Sequence, residues 1–478
     1  MRSTPAPERA LRADRFELPC RTVRSVNRLV LCALVALAPA HVRADGMAIV
    51  GGSPRAIGRA GASTVGDDGG GALLINPAAI ARRDTMRAQL GMAAVEDDVR
   101  WQTDVEGAPL SRGQAGTRFM PLGAAIGAAG GWILGAGIMT AAASARSLAR
   151  PDDAAGSASS DFDYRYAGIA GAYRRDTLTI AAARRIGDSL ALGLALGASQ
   201  VRVTEHRRIW AGLTVPVADS KNDVDLLLTG IDRFAETAVA GLLFAPEGSH
   251  IELGASVAWA NTVKLTGTVD AKGSPPIGPS VVELSTPEAS LEIRQPFTLR
   301  AGGRYVGDRL VAELGGDLWI APSAAETAVW SVRGVSIVDP SQVSSDLQQV
   351  PSRISQHTHA ALRFAVDFEL VPGFLWATAG YALSTPGTSA SRLSPSFGDL
   401  GGHTLGLGLE TTAGGFTVTL GWSRTWSPAT SAPTALSLDN PFRSVMAPDT
   451  TVYEGGYDGS LDQVGILVEV ELGHPPPH

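Results

Sequence analysis

Gln463-Val464-Gly465-Ile466-Leu467-Val468-Glu469-Val470-Glu471-Leu472 alternates with period two. Extended backbone sends Val464, Ile466, Val468, Val470 and Leu472 to one face and Gln463, Glu469 and Glu471 to the other. The pattern recurs upstream. In 360–370, Leu362, Phe364, Val366, Phe368 and Leu370 oppose Arg363, Asp367 and Glu369; in 309–320, Leu310, Ala312, Leu314, Leu318 and Ile320 oppose Arg309, Glu313 and Asp317. In 292–305 the even set is Glu292, Arg294, Pro296, Thr298, Arg300, Gly302 and Arg304, which predicts one unbroken strand with these residues on a single face.

A two-sheet sandwich would alternate in the same way. Connection length separates the two architectures. Short links at 128–131, 186–188, 246–249, 307–308, 371–373 and 413–415 all contain Gly. Long stretches lie between them, at 97–116, 142–163, 207–233, 267–290, 321–353, 384–400 and 427–461. Strict alternation of short and long links is expected of a transmembrane antiparallel β-barrel of about fourteen strands, with short periplasmic turns and long outer loops. Strands are expected near 86–95, 117–127, 132–141, 164–185, 189–205, 234–245, 251–266, 292–306, 309–320, 354–370, 374–383, 400–411, 416–426 and 462–472. A hidden turn at 174–176 would break the even count. Trp319, Trp376, Tyr381, Trp422 and Trp426 fall near strand ends and suit an interfacial aromatic girdle.

Composition agrees with an all-β membrane fold. Apolar residues make up 45% of the 478 and charged residues 18%, yet no stretch after the N-terminal segment has eighteen consecutive residues of those apolar types, as a spanning helix would. Residues 1–44 read as an export signal: Arg21, Arg24 and Arg28 precede an apolar run at 29–38, and Val42-Arg43-Ala44 suits cleavage before Asp45. Both cysteines, Cys20 and Cys32, fall in that segment, so disulfide and thiolate chemistry is not expected after export. Without residues 1–44 the chain keeps 32 basic against 44 acidic side chains, a balance that argues against a nucleic-acid partner.

Residues 45–85 do not alternate. They contain Gly58-Arg59-Ala60-Gly61, Asp67-Asp68-Gly69-Gly70-Gly71 and Leu73-Leu74-Ile75-Asn76-Pro77-Ala78. The Asn-Pro step signals a turn. A barrel this wide leaks unless its lumen is filled, and a compact plug of small residues is the expectation for this segment. The chain thus divides into 1–44 signal, 45–85 hatch, 86–472 barrel and a 473–478 tail.

These features resemble the FadL-type outer-membrane transporters of long-chain fatty acids and aromatic hydrocarbons. The hatch residues Gly58, Arg59, Gly61, Asp67, Asp68, Asn76, Pro77 and Ala78 carry the likeness. Gln295–Tyr305, Ala379-Gly380-Tyr381-Ala382 and Gly402–Gly408 follow in the family's order. One departure is the last strand, which ends on Leu472 where an aromatic residue is common. The resemblance implies a plugged barrel that passes hydrophobic molecules without an energy source. Ligand would bind between the third and fourth outer loops, reach a lumenal pocket, and leave sideways beside a kinked third strand once the hatch shifts. Groove candidates are Leu226, Leu227, Leu228 and Ile231 with Val281, Val282 and Leu284, although loop packing accounts for them equally well. Arg207, Arg208 and Lys264 are candidate partners for a carboxylate. Expected partners are a hydrophobic small molecule, outer-membrane lipid and the barrel-assembly machinery. No cofactor is expected. Gly135 and Gly137 would permit a kink in the third strand.

Catalytic chemistry finds little support. His357 and His359 lack companions at metal spacing, and Ser355 beside His357 has no oxyanion-hole pattern. Two other functions fit the same barrel: a structural or adhesive protein acting through its loops, and a general porin, which the mixed-charge lumen favours and the hatch opposes.

Overall fold

The computed structural model describes residues 52–102, 111–148, 166, 168–211, 223–273, 281–338, 342–432, 436–439, 442, 446–452 and 455–472. The expected export signal, the start at Asp45 and the 473–478 tail lie outside the described residues.

The principal strands are β1 (Met86–Gln102), β2 (Arg118–Ala129), β3 (Trp132–Leu148), β4 (Ala170–Ile186), β5 (Leu190–Trp210), β6 (Asp223–Phe244), β7 (Ile251–Ala260), β8 (Val263–Gly273), β9 (Val281–Ile293), β10 (Phe297–Val306), β11 (Leu310–Ile320), β12 (Val329–Val338), β13 (His359–Val371), β14 (Leu375–Ser384), β15 (Gly402–Ala413), β16 (Phe416–Ala432) and β17 (Gly455–Leu472). β7 with β8 and β9 with β10 are single crossings, each interrupted once, and β12 pairs with β9 outside the ring while β11 pairs directly with β13. The result is a closed 14-strand antiparallel barrel. β17 closes it on β1, in register from Met86↔Leu472 to Gln102↔Gly456. At the tight β2–β3 turn, Gly130 and Gly131 take φ of +58° and +79°, a hairpin geometry that side chains disfavour.

The outer face is apolar over a band of membrane height. On β1 the outward residues are Met86, Ala88, Leu90, Met92 and Ala94; opposite them on β17 stand Leu472, Val470, Val468, Ile466 and Val464. Above that level the outward positions turn to Glu96, Asp98 and Arg100, facing Asp462, Ser460 and Asp458. Nine residues from Met86 to Ala94 suffice for a tilted strand to cross hydrocarbon. Trp422, Tyr381 and Trp426 share the outward register, whereas Trp319 and Trp376 share the inward one; Trp132, Trp259, Phe297 and Phe416 are among the other exposed aromatic residues of the outer face.

The strands do not stop at the membrane. β5, β6, β8, β9 and β12 continue outward as sheet through much of 207–233, 267–290 and 321–353, the stretches expected to be loops. Beyond the membrane the solvent outside is water, so the apolar side must turn inward. β5 makes the change by composition, with Leu192, Leu194 and Leu196 facing lipid below and Val201 and Val203 facing in above. β6 makes it with a bulge at Ser199/Val201↔Ala235/Asp232. In the β9–β10 crossing, Ile293, Leu291 and Ala289 face in, but Leu299 and Tyr305 of the same parity face out. The single alternating strand expected over 292–305 is therefore two strands with opposite facing, broken at Arg294-Gln295-Pro296. No turn interrupts 174–176; β4 runs through it, which keeps the even count.

Candidate functional site

Residues 52–85 fill the lower lumen. Ser53 caps helix α1 (Pro54–Gly58) by accepting from the Ala56 amide, and Pro54 sits where a missing N–H costs nothing. Positive φ at Ala60 and Gly61 turns the chain. A second helix, α2 (Ala72–Ile75), leads into a 3₁₀ turn at Pro77–Arg82. Asn76 is fully buried at their junction. Its Nδ2 donates to the Thr64 carbonyl (2.9 Å) and to the Leu242 carbonyl of β6 (3.2 Å), while Oδ1 accepts from the Ala78 amide (3.2 Å). One side chain thus pins two hatch segments to the wall. The wall leaves room for it: a Cβ on Gly241 would lie 2.1 Å from Asn76 Oδ1, and one on Gly380 2.2 Å from the Arg59 backbone.

Charge holds the rest. Arg59 reaches Glu313 at 2.8 Å, and Glu313 also accepts from the Val65 amide at 2.8 Å. Arg55 pairs with Glu410 (2.7 Å), Arg82 with Glu252 (2.6 Å) and Arg83 with Glu469 (2.9 Å). Glu313 and Glu469 belong to the polar rows that sequence alternation exposed, whereas Glu252 and Glu410 were not read; their partners Arg55, Arg82 and Arg83 went unselected because a Gly-rich segment shows no periodicity. Asp67 accepts from Ser53 Oγ (2.7 Å) and the Gly69 amide (3.0 Å). Burial pushes its carboxyl up, and the Arg55 charge and both hydrogen bonds offset only part of that. Burial acts on Asp68 in the same sense, but a bidentate hydrogen bond from Arg83, with the charges of Arg83, Arg55 and Arg87, holds it well below the usual carboxylate range. Gly58, Pro77 and Ala78 are buried in the same plug.

Above the hatch lies a cavity of about 260 Å³. Leu74 and Ile75 of the hatch floor it, and Ala141, Val239, Ala258 and Trp319 contribute apolar wall. The Trp319 ring stacks on His359 at 4.5 Å. Two polar groups stand out. Arg175 of β4 donates through Nε to Ser199 Oγ (3.0 Å) and through Nη1 to Gln295 Oε1 (3.3 Å). Arg175 Nη2 and Gln295 Nε2 are buried without a hydrogen-bond partner among the described residues. Both side chains line the cavity. Two unpaired donors, one of them cationic, suit a carboxylate or another anionic acceptor. Neither residue was singled out from sequence. Arg175 sits in an Arg-Arg pair whose two members face opposite ways, and Gln295 gains its place only from the break before Pro296.

The outer extension encloses a second apolar region. Leu226 and Leu228 are fully buried in it with Trp330, Leu265 and Leu291, and Val282 packs on its edge. Burying each Leu is worth about 2 kcal/mol. The other groove candidates do not join them. Leu227, Val281 and Leu284 are exposed, Ile231 lies on the outward face with Leu227, and Lys264 points to solvent while its amide donates to Asp232. Arg207 is buried 3.6 Å from Glu205, which accepts from Trp330 Nε1 (3.0 Å) and Ser352 Oγ (2.9 Å). Arg208 lies 3.6 Å from Asp225 on the outer side. His357 contacts Glu326 at 2.7 Å, away from the cavity-lining His359.

β3 departs from regular pairing. It carries a bulge between Thr140 and Ala142, and its ladder with β2 stops at Leu122↔Met139. Arg174 crosses this seam on the outer face. It is held by Asp176 (2.8 Å), and donates to Thr140 Oγ1 (3.1 Å) and to the Phe119 carbonyl (3.2 Å).

No family model and no curated protein sequence matches the chain. Solved structures do. A Pseudomonas aeruginosa FadL homologue aligns with a TM-score of 0.70 at 13% identity, over 90% of this chain and 100% of the other. The P. putida toluene transporter TodX gives 0.63 at 12% identity, over 89% and 100%. The CymD monoaromatic hydrocarbon channel gives 0.61 at 13%, over 89% and 98%. The chain shares their fold.

Proposed function

We propose that this barrel lies in the outer membrane and carries hydrophobic molecules across it passively, with long-chain fatty acids as its principal cargo. One observation carries the choice of cargo: a lumenal cavity with apolar walls holds the buried, unpaired donors Arg175 Nη2 and Gln295 Nε2. A plain hydrocarbon leaves those donors unsatisfied, at about 1–3 kcal/mol each, whereas a carboxylate pairs with them. The fold it shares with hydrocarbon channels supports transport, and the hatch, pinned by Asn76 and four arginines, supports gating by movement of the plug.

The route runs from the outer apolar region around Leu226, Leu228 and Val282 to the cavity, and then past the hatch and out through the β2–β3 seam. Arg207 sits at the inner face of the outer region and is the remaining candidate for a first contact with a head group. Uptake of a labelled sixteen-carbon fatty acid by cells displaying the protein tests this. Saturable uptake above matched cells supports the proposal, and an Arg175→Met variant should lose it while keeping toluene uptake. Equal loss of both would remove the carboxylate role. No uptake of either, with the barrel folded, would leave the adhesive or porin alternative, which loop deletion within 427–461 and liposome swelling with small sugars then separate.

A further inference from the structure

The barrel wall is interrupted at a second place, on a different pair of crossings from the β2–β3 seam. The β7–β10 ladder ends at Ala258↔Thr298, and the β8–β9 ladder resumes only at Val263↔Ile293. Between them, residues 259–262 face 294–297 with no pairing. The break is written into the sequence: Pro296 has no N–H to give. The facing of side chains also inverts here, because Leu253 and Trp259 point outward below while Val263 and Leu265 point inward above. Asn261 does not restore the ladder. Its amide and Nδ2 both turn the other way, to the Glu236 carbonyl (2.9 Å) and Glu236 Oε2 (2.7 Å) of β6.

The lumenal cavity reaches both edges of this interruption, where Trp259, Ala260, Gln295 and Pro296 line it. Outside, Trp259 is 48% and Phe297 39% exposed, at the top of the lipid-facing band. The two seams differ in chemistry. Arg174, Asp176 and Thr140 cover the β2–β3 seam with a charged cluster. The β7–β10 seam shows Trp259 and Phe297 to the membrane, with exposed Arg294 and the Asn261–Glu236 hydrogen bond along its upper edge, and, just inside, the Arg175–Gln295 hydrogen bond.

We infer that this second interruption is a lateral portal, through which an amphiphile dissolved in the outer leaflet passes its apolar chain between Trp259 and Phe297 into the cavity and brings its acceptor head group to Arg175 and Gln295. The inference rests on the cavity being the ligand site proposed above. It gives the protein a way to take cargo from the membrane itself as well as from water through the outer apolar region.

The test reads occupancy of the cavity, not transport. The full-length protein is reconstituted in phosphatidylcholine vesicles. A sixteen-carbon alkyl-diazirine acid is supplied either preloaded in the bilayer or from an albumin complex in the outer solution. After photolysis, adducts are mapped on the peptides containing 259–262, 294–297 and 173–177. Bilayer-loaded probe should label all three. In Ala260→Trp, which fills the interruption, labelling at 173–177 from the bilayer should fall at least tenfold, while labelling from albumin stays within twofold. Thr262→Trp, in the same interruption but away from the Arg175–Gln295 site, repeats the test should Ala260→Trp fail to give a folded, heat-modifiable barrel. Unlabelled edges, or bilayer-derived labelling at 173–177 that survives both substitutions, would overturn the portal. Should cellular uptake be absent while this pattern holds, transport is lost and the portal stands; the converse result removes the portal alone.

Discussion

Replacing Asn76 with Ala should free the hatch without disturbing the barrel. The side chain makes three hydrogen bonds, to the Thr64 carbonyl, the Leu242 carbonyl and the Ala78 amide, all in a fully buried setting. A protein hydrogen bond contributes about 1 kcal/mol net, and more when the abandoned partner stays buried. Three of them come to about 3 kcal/mol, or on the order of a hundredfold in the population of the detached hatch, at tenfold per 1.4 kcal/mol. Hydrogen exchange measures it directly. Protection of the Asn76 and Ala79 amides, which close the hatch turns onto Ala72 and residue 76, should fall about a hundredfold. Amides in the β1–β17 and β15–β16 ladders should not change. Asn76→Asp should be at least as damaging, since it turns a donor toward two carbonyls into a charge. Hatch protection within threefold of wild type, or equal loss throughout the barrel, would refute the assignment of Asn76 as the pin. Uptake at wild-type rate with equal surface display would separately remove the hatch from the transport step.

Other substitutions probe other contacts. Arg59→Ala strands Glu313, which is buried and keeps the Val65 amide as its one hydrogen-bond partner among the described residues; loss of one partner of such a pair costs about 3–5 kcal/mol, so protease cleavage within 52–85 should appear while the barrel keeps its heat-modifiable gel shift. Arg175→Met should lower fatty-acid affinity by ten- to a hundredfold and spare toluene, since Ser199 retains Thr177 as a partner and the fold loses little; intrinsic ligand quenching of cavity tryptophan fluorescence reads the split. Arg174→Ala opens the β2–β3 seam, and labelling of Thr140 and Phe119 by a bilayer-confined probe should rise. Asp68 binds its proton less readily in the folded hatch than in an unfolded chain, so its stabilisation is complete above the ordinary carboxylate value of 3.8 and fades as pH falls below it. The hatch-stability difference between wild type and Asp68→Asn should therefore be full at pH 7 and shrink as the solution is acidified.

Much of the barrel was legible because a single physical demand repeats along it. Each crossing must turn apolar side chains to lipid at every second position, so Val464 to Leu472 declares its facing without help from any neighbour. The hatch motif was legible for a related reason, since Asn76-Pro77 fixes a turn locally. Arg55, Arg82 and Arg83 were not, because their roles depend on acids that return to them from Glu252, Glu410 and Glu469, up to several hundred residues away.

What the sequence determined by itself was the alternation, and with it the strand count, the closed sheet and the apolar exterior. Where the membrane ends was decided in the tertiary structure. At that level the solvent outside changes from lipid to water, the required facing inverts, and one continuous alternating run at 292–305 becomes two strands with a break between them. Only the closed barrel then brings Arg175 of one strand to Gln295 at the break, and only that meeting turns two polar residues with no role assigned from sequence into a site. Periodicity reports which face a residue takes within its own strand; it carries no information about which distant strand lies across the lumen.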